Sequence, residues 1–194
     1  MAELFVIEKF IKYETNFSVL EEITEKDLQD IINIRTNKIN SALHPISNNL
    51  NEQLAYFENY QNTKKINGEI YYKIYEKKFP DVKCGFVRIT QLNNNQNFSW
   101  ESFILKDNVS PHISYDVMIS IYSIGFDFFK KNICGPWNVP NKAINIMKFH
   151  ELTGMAEIAS KNEQFTRYEV TRDSYEARKD YFKMRKLGII REGY

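Results

Sequence analysis

The 194-residue sequence is poor in the residues that announce many chemistries. It has two cysteines, Cys84 and Cys134, both inside strand-like runs; they read as small buried hydrophobes and not as a disulfide framework. The three histidines, His44, His112 and His150, stand at no metal-ligand spacing with those cysteines, which argues against a metal site. None of its seven glycines belongs to a Gly-x-Ser-x-Gly elbow, a Walker loop or a dinucleotide fingerprint. Neither sign of charge dominates. Lys and Arg number 26 against 25 Asp and Glu, a net charge of +1, so neither nucleic acid nor an anionic membrane is an expected partner. No long apolar run is present: Met1 to Ile7 carries Glu3 and is interrupted by Glu8 and Lys9, unlike a signal peptide or a membrane span, and the expected location is the cytoplasm.

What is there is enough apolar material for one ordinary domain, 43% of residues. The aromatics are plentiful, but they sit in strand-like runs or on apolar helix faces and read as core, not as a base-stacking platform. The stretch from Phe98 to Met155 organises the rest. Phe98 to Leu105 is an aromatic and β-branched run that ends in polar residues, as a strand entering a loop does. After the loop Lys106 to Ser114, the apolar residues Val117, Ile121, Ile124 and Phe128 recur at helical spacing, which predicts a helix from about Ser114 to Lys130 with Ser114 as its N-cap. Ile133 to Val139 follows as a strand. A strand, a helix and a returning strand make a right-handed unit with parallel strands, and such a unit takes an anionic ligand at the amino end of its helix, here Asn108 to Tyr115.

Elsewhere, Asn16 to Glu22 predicts a first strand, Thr24 to Asp27 an N-cap with acidic residues, and Leu28, Ile31 and Ile32 the buried stripe of a helix that carries Arg35 near its end. Asn37 to Asn49, with Pro45, reads as a loop, and Asn51 to Tyr60 as a second helix. Glu69 to Glu76 and Lys83 to Thr90 have strong β propensity; with the strand at Phe98 they predict an antiparallel meander. Asn141 should open a helix ending before Gly154, a left-handed cap. Met155 to Ala159 and Phe165 to Val170 suggest a closing hairpin, and Ser174 to Leu187 a charged final helix.

This order, over about Leu20 to Val170, resembles the GNAT superfamily of acetyl-CoA-dependent N-acetyltransferases. Ile31-Ile32-Asn33-Ile34-Arg35-Thr36-Asn37 followed by Asn51-Glu52-Gln53-Leu54-Ala55-Tyr56-Phe57 looks like the arginine-bearing and following helices of members that acetylate nucleotide-linked amino sugars for surface polysaccharides. Val139-Pro140-Asn141 and Phe149-His150-Glu151-Leu152-Thr153-Gly154-Met155 look like the family's strand-to-helix asparagine and its aromatic-rich helix before a glycine. The resemblance implies a GNAT-like α/β (α+β) fold: a mixed, mostly antiparallel sheet of about seven strands with a central, splayed parallel pair and flanking helices. It also implies one acetyltransferase-like domain over 1–194, with an acceptor-side helical lid at about 25–60 and an acetyl-CoA-binding core at about 98–155. Two features depart from the pattern. The phosphate loop Asn108 to Ser114 has no glycine, and the spacing from Asn141 to Gly154 is about two residues longer than usual.

The implied co-substrate is acetyl-CoA, with no metal. Its pantetheine arm would pair with the backbone of Ile104 and Leu105, and its phosphates would meet the first-turn amides of the helix together with Asn108, Ser110, His112, Ile113, Ser114 and Asn141. Glu101 falls where GNAT enzymes place the carboxylate that deprotonates the amine; the plain alternative is a glutamate on the solvated face of a sheet. His150 falls where many members have the tyrosine that protonates the thiolate, or it is a packing histidine. Arg35 would pair with a diphosphate or a sugar hydroxyl array, or else complement its helix dipole. Asn40, Trp100 and Trp137 could line the acceptor site, although core packing is the stronger reading of both tryptophans, and an exposed loop residue that of His112. The expected activity is transfer through a ternary complex to a primary amine, first a nucleotide-linked deoxyamino sugar, by a monomer or homodimer. Acetylation of protein N-termini or other small amines, or a non-catalytic CoA-binding module, are the alternatives.

Overall fold

The structure is a computed structural model that describes residues 12–37 and 46–180. They form two compact units, one of the chain up to Asn94 with Trp100–Ser120, the other of Asn95–Ser99 with the chain from Ile121 onward. No helix among the described residues is long and apolar enough to cross a membrane.

In the first unit, β1 (Lys12–Glu14), β2 (Ser18–Glu22), β3 (Ile70–Glu76) and β4 (Lys83–Thr90) pair antiparallel in that order, and β5 (Asn97–Leu105) lies next to β4. The first predicted strand begins two residues late because Thr15 makes a turn. Its hydroxyl oxygen accepts the amides of Phe17 and Ser18 at 3.1 and 2.9 Å, which no strand partner could do. Helix α1 (Leu28–Asn37) buries Leu28, Ile31 and Ile32 as its spacing predicts. Helix α2 (Leu50–Asn67) outruns its predicted end at Tyr60, since Gln61 to Asn67 is polar except for the exposed Ile66 and carries no apolar stripe; Gly68, at φ 64°, stops it. Ile23, Leu28, Ile31, Tyr60, Tyr71, Phe86 and Ile104 make the core between these helices and strands.

In the second unit the start of β5 pairs parallel with β6 (Ile133–Pro140), as expected, through Asn97 with Ile133 and Phe98 with Cys134 alone. β6 pairs antiparallel with β8 (Phe165–Thr171), and β8 with β7 (Ala156–Lys161). Helix α4 (Ile144–Leu152) and a helix over 172–180, α5, complete it; the predicted final helix beyond 180 lies outside the described residues. Eight strands are therefore present among the described residues instead of about seven; β1 is the addition.

The helix predicted from Ser114 to Lys130 differs at both ends. It begins at Pro111, whose fixed φ suits the first helical position, so Ser114 lies inside it and is not the cap. α3 (Pro111–Tyr122) then widens into a π-helical turn, Ser123–Phe128, closed by the Phe129 amide on the Ile124 carbonyl at 3.1 Å. The wider turn shifts the phase of the following residues. Phe126 is buried, while Phe128, predicted in the apolar stripe, is 52% exposed. Gly125 sits where Phe98 packs edge-on to Phe126, their centroids 5.1 Å apart, and a Cβ there would lie 2.1 Å from the Phe98 ring. Gly125→Ala should therefore cost about 1–3 kcal/mol of stability, read as a lower denaturation midpoint with an unchanged slope.

Candidate functional site

A cavity of ≈ 570 Å³ opens in the first unit, within the range typical of small-ligand sites. Its apolar side is Ile23, Leu28, Ile31 and Ile46; its polar side joins Arg35 of α1, Glu52 and Tyr56 of α2, Tyr71 of β3, Arg88 of β4, and Glu101 with Ser102 of β5. Two of the residues singled out from sequence, Arg35 and Glu101, thus come to one place from helices and strands far apart in the chain. Arg35 hydrogen-bonds Tyr71, whose hydroxyl burial pushes up to about 12 against the pull of that guanidinium. The Glu101 side chain is 50% exposed and bonded to Arg88 Nη2 at 3.1 Å, so its setting is an ion pair at the cavity mouth.

Arg88, Tyr56 and Ser102 were not legible as site residues. Arg88 Nη1 donates to the Tyr56 hydroxyl at 2.6 Å and lies 3.7 Å from Glu69 Oε2, so the guanidinium is tied on both sides. Burial raises the Tyr56 hydroxyl pKa, and Arg88 opposes that rise. Ser102 has φ 54° in mid-strand, a left-handed conformation that side chains other than glycine's rarely adopt. Successive strand residues normally point to opposite faces. The turn of backbone at Ser102 is why two neighbours, Glu101 and Ser102, both line one cavity.

The residues expected to hold the co-substrate belong to the same unit, apart from Asn141. Ile104 is buried and Leu105 half-buried, and both lie against Gly85 of β4, where a Cβ would meet the Ile104 carbonyl oxygen at 2.3 Å. Close backbone approach requires glycine at that point. At the start of α3, Asn108 and His112 are exposed, Ser110 and Ser114 half-buried, and Ile113 buried. The Ile113 amide already donates to the Ser110 carbonyl at 2.9 Å, the Ser110 hydroxyl meets the His112 ring at 2.7 Å, and His112 leans on Phe17 at 5.8 Å. A helix start and hydroxyls are what an anion would meet there, in place of the glycines of a phosphate loop. Trp100 is buried with its ring edge-on to Phe103 and does not line the cavity. Asn40 lies outside the described residues.

His150, Trp137 and Asn141 belong to the second unit. Asn141 lies in the turn before α4, which starts three residues later than predicted, and its amide is spent on the β7–β8 hairpin: Nδ2 donates to the Asn162 carbonyl at 2.8 Å, and Oδ1 accepts from the Thr166 hydroxyl at 2.7 Å. His150 is 3% exposed, stacked on Tyr168 at 5.2 Å and close to Trp137 at 5.0 Å. Burial lowers its pKa to about 4, with Glu151 opposing, so the ring is neutral near pH 7. In the unfolded chain it titrates near 6.5. The unfolded state therefore binds an extra proton between those values, and the stability due to the neutral ring is present above about 6.5 and lost as the pH falls toward 4, by about 3 kcal/mol in all. His150→Phe, which keeps the stack, should flatten that acid limb in denaturant melts at pH 7 and 4.5.

Among the described residues no group of three His, Cys, Asp or Glu side chains is placed to hold a metal. No protein-family model matches the chain, and neither does any curated protein. Solved structures do. Apo FdhC, a nucleotide-linked sugar GNAT, aligns with TM-score 0.76 at 20% identity over 89% of this chain and 96% of that one. The spermidine N-acetyltransferase of Vibrio cholerae in complex with CoA and spermine aligns with TM-score 0.64 at 13% identity over 81% and 97%, and the N-acetyltransferase PseH of Campylobacter jejuni with 0.59 at 12% over 79% and 97%. With its mixed strands, one parallel pair and flanking helices, the chain has the fold of the GNAT acetyltransferases.

Proposed function

We propose that the chain is an acetyl-CoA-dependent N-acetyltransferase and that its acceptor is a primary amine on a nucleotide-linked deoxyamino sugar. The observation that carries this reading is the cavity that gathers Arg35, Arg88 and Glu101 with the hydroxyls of Tyr56, Tyr71 and Ser102, on a GNAT fold. Hydroxyls and paired charges over an apolar floor suit a sugar that carries an amine and an acidic group. The wall carries two guanidiniums, Arg35 and Arg88, against two carboxylates, Glu52 and Glu101, so it offers partners for an acidic group that a polyamine lacks.

Acetyl-CoA supplies the acetyl group as a thioester. In this reading Glu101 accepts the proton of the acceptor's ammonium group, and the freed nitrogen forms a bond to the thioester carbonyl carbon. The carbon–sulfur bond then breaks, the nitrogen gives up its second proton to become the amide, and the departing thiolate takes up a proton, by way of solvent, to leave as the free thiol. The Leu105 amide would face the thioester oxygen, Ile104 and Leu105 would hold the pantetheine arm, and the start of α3 would meet its phosphates. Arg35 and Arg88 orient the acceptor, which lowers the barrier chiefly by positioning.

The test is release of free thiol when purified protein meets acetyl-CoA and a panel of 3- and 4-amino nucleotide sugars, spermidine and peptides with free N-termini. Turnover on a nucleotide sugar is expected. Silence there with activity on spermidine or peptides would move the acceptor to another class, and tight acetyl-CoA binding without turnover on any amine would make the chain a CoA-binding module.

A further inference from the structure

We propose that Arg88 is a positioning residue that changes partner when the acceptor binds: the acceptor's acidic group takes the place of the Glu101 carboxylate on the guanidinium, and Glu101 turns free toward the amine. The inference rests on the reading of Glu101 as the base and adds a coupling, in which the base is released only when the right acceptor is in place.

The two ends of the ion pair are unequally held. Arg88 is 20% exposed, bonded to the Tyr56 hydroxyl at 2.6 Å and flanked by Glu69 at 3.7 Å. Glu101 is 50% exposed and reaches Arg88 at 3.1 Å, while Arg88 also holds Tyr56 and Glu69. When such a pair is challenged, the exposed carboxylate leaves and the guanidinium stays. A half-exposed ion pair is weak and easily exchanged. A phosphate or carboxylate offers a guanidinium two oxygens in the fork geometry it prefers, so the incoming anion can do better than the carboxylate it displaces. Both members line the same cavity, so the anion that displaces Glu101 brings its own amine into the space that Glu101 then faces. Without an acceptor, Glu101 remains neutralised by Arg88, which keeps the base from acting on water or stray amines.

The consequence is thermodynamic and needs no turnover. Glu101 competes with the ligand for Arg88, so removing its charge should tighten anion binding. Calorimetry of uridine diphosphate on the full chain without any acetyl donor should show Glu101→Gln binding about two- to fivefold more tightly than the wild type, the value of losing a weak internal competitor. Arg88→Met should bind at least about tenfold more weakly, with Arg88→Lys between, since a lysine supplies the charge but not the fork. Unchanged or weaker binding by Glu101→Gln overturns the exchange. Retained affinity in Arg88→Met places the anion on Arg35 instead and overturns it as well, as does absence of binding throughout. Should Arg88→Met not fold, judged by circular dichroism, the comparison of Glu101→Gln with wild type decides alone. Because the acetyl donor is absent, failure here is distinct from failure to release thiol, which tests the transferase reading.

Discussion

Glu101→Gln is expected to lower kcat/KM for the acceptor amine by about 10²–10⁴-fold, the usual contribution of a positioned general base, with the affinity for acetyl-CoA unchanged. The side chain is half exposed, so the melting temperature should scarcely move, which separates a chemical loss from a folding loss. A second signature follows from the role. As the pH rises toward the pKa of the amine, a growing share of the acceptor is already neutral and needs no base, so the deficit of the variant should shrink. A deficit that stays constant across the pH range, or a variant with wild-type turnover, would remove Glu101 from the chemistry and leave it a solvated strand residue.

Asp27→Ala is expected to cost about 3–5 kcal/mol of stability, the most of any single change considered, because it breaks a buried charge network by removing its centre. Asp27 is 3% exposed and accepts from the Thr24 amide at 2.7 Å, the Thr24 hydroxyl at 2.9 Å, Lys83 at 2.7 Å and Lys73 at 3.2 Å; Lys83 also pairs with Asp30. Burial alone would raise its pKa; the hydrogen bonds from Lys83 and Thr24 and the charge of Lys73 outweigh that and hold it below the usual carboxylate range. Without it, Lys73 keeps, among the described residues, only Glu21, at 3.3 Å, as a carboxylate partner, and the capping box of the turn Glu25–Asp27 that leads into α1 is lost. Asp27→Asn, which keeps the cap but not the charge, should lose roughly half as much. Since α1 carries Arg35, activity should fall along with the denaturation midpoint. A loss under about 1 kcal/mol would mean the network behaves as an exposed one.

Much of this was legible along the chain because it depends on neighbours in sequence. The strong β propensity of β3 and β4, the stripe of α1, the left-handed stop at Gly154 and the parallel return of β6 follow from local period and local backbone preference. Arg35 and Glu101 were singled out by their resemblance to a helix and a strand, and they do line one cavity. Where the period was locally altered, the reading slipped. Nothing in Ser123 to Phe128 signals a wider turn, so Phe128 was placed inward when it faces water.

What the sequence alone determined is the order of the elements and hence the fold class, because hydrophobic period, caps and turn residues act within a few residues of one another. Only the tertiary structure decided who meets whom: that Arg88, an ordinary polar position on a strand, holds both Tyr56 and Glu101; that Ser102 adopts a glycine-like conformation; and that His150 lies neutral between aromatic rings. Those facts depend on distances between residues far apart in the chain and on how much water each group keeps, and packing sets both.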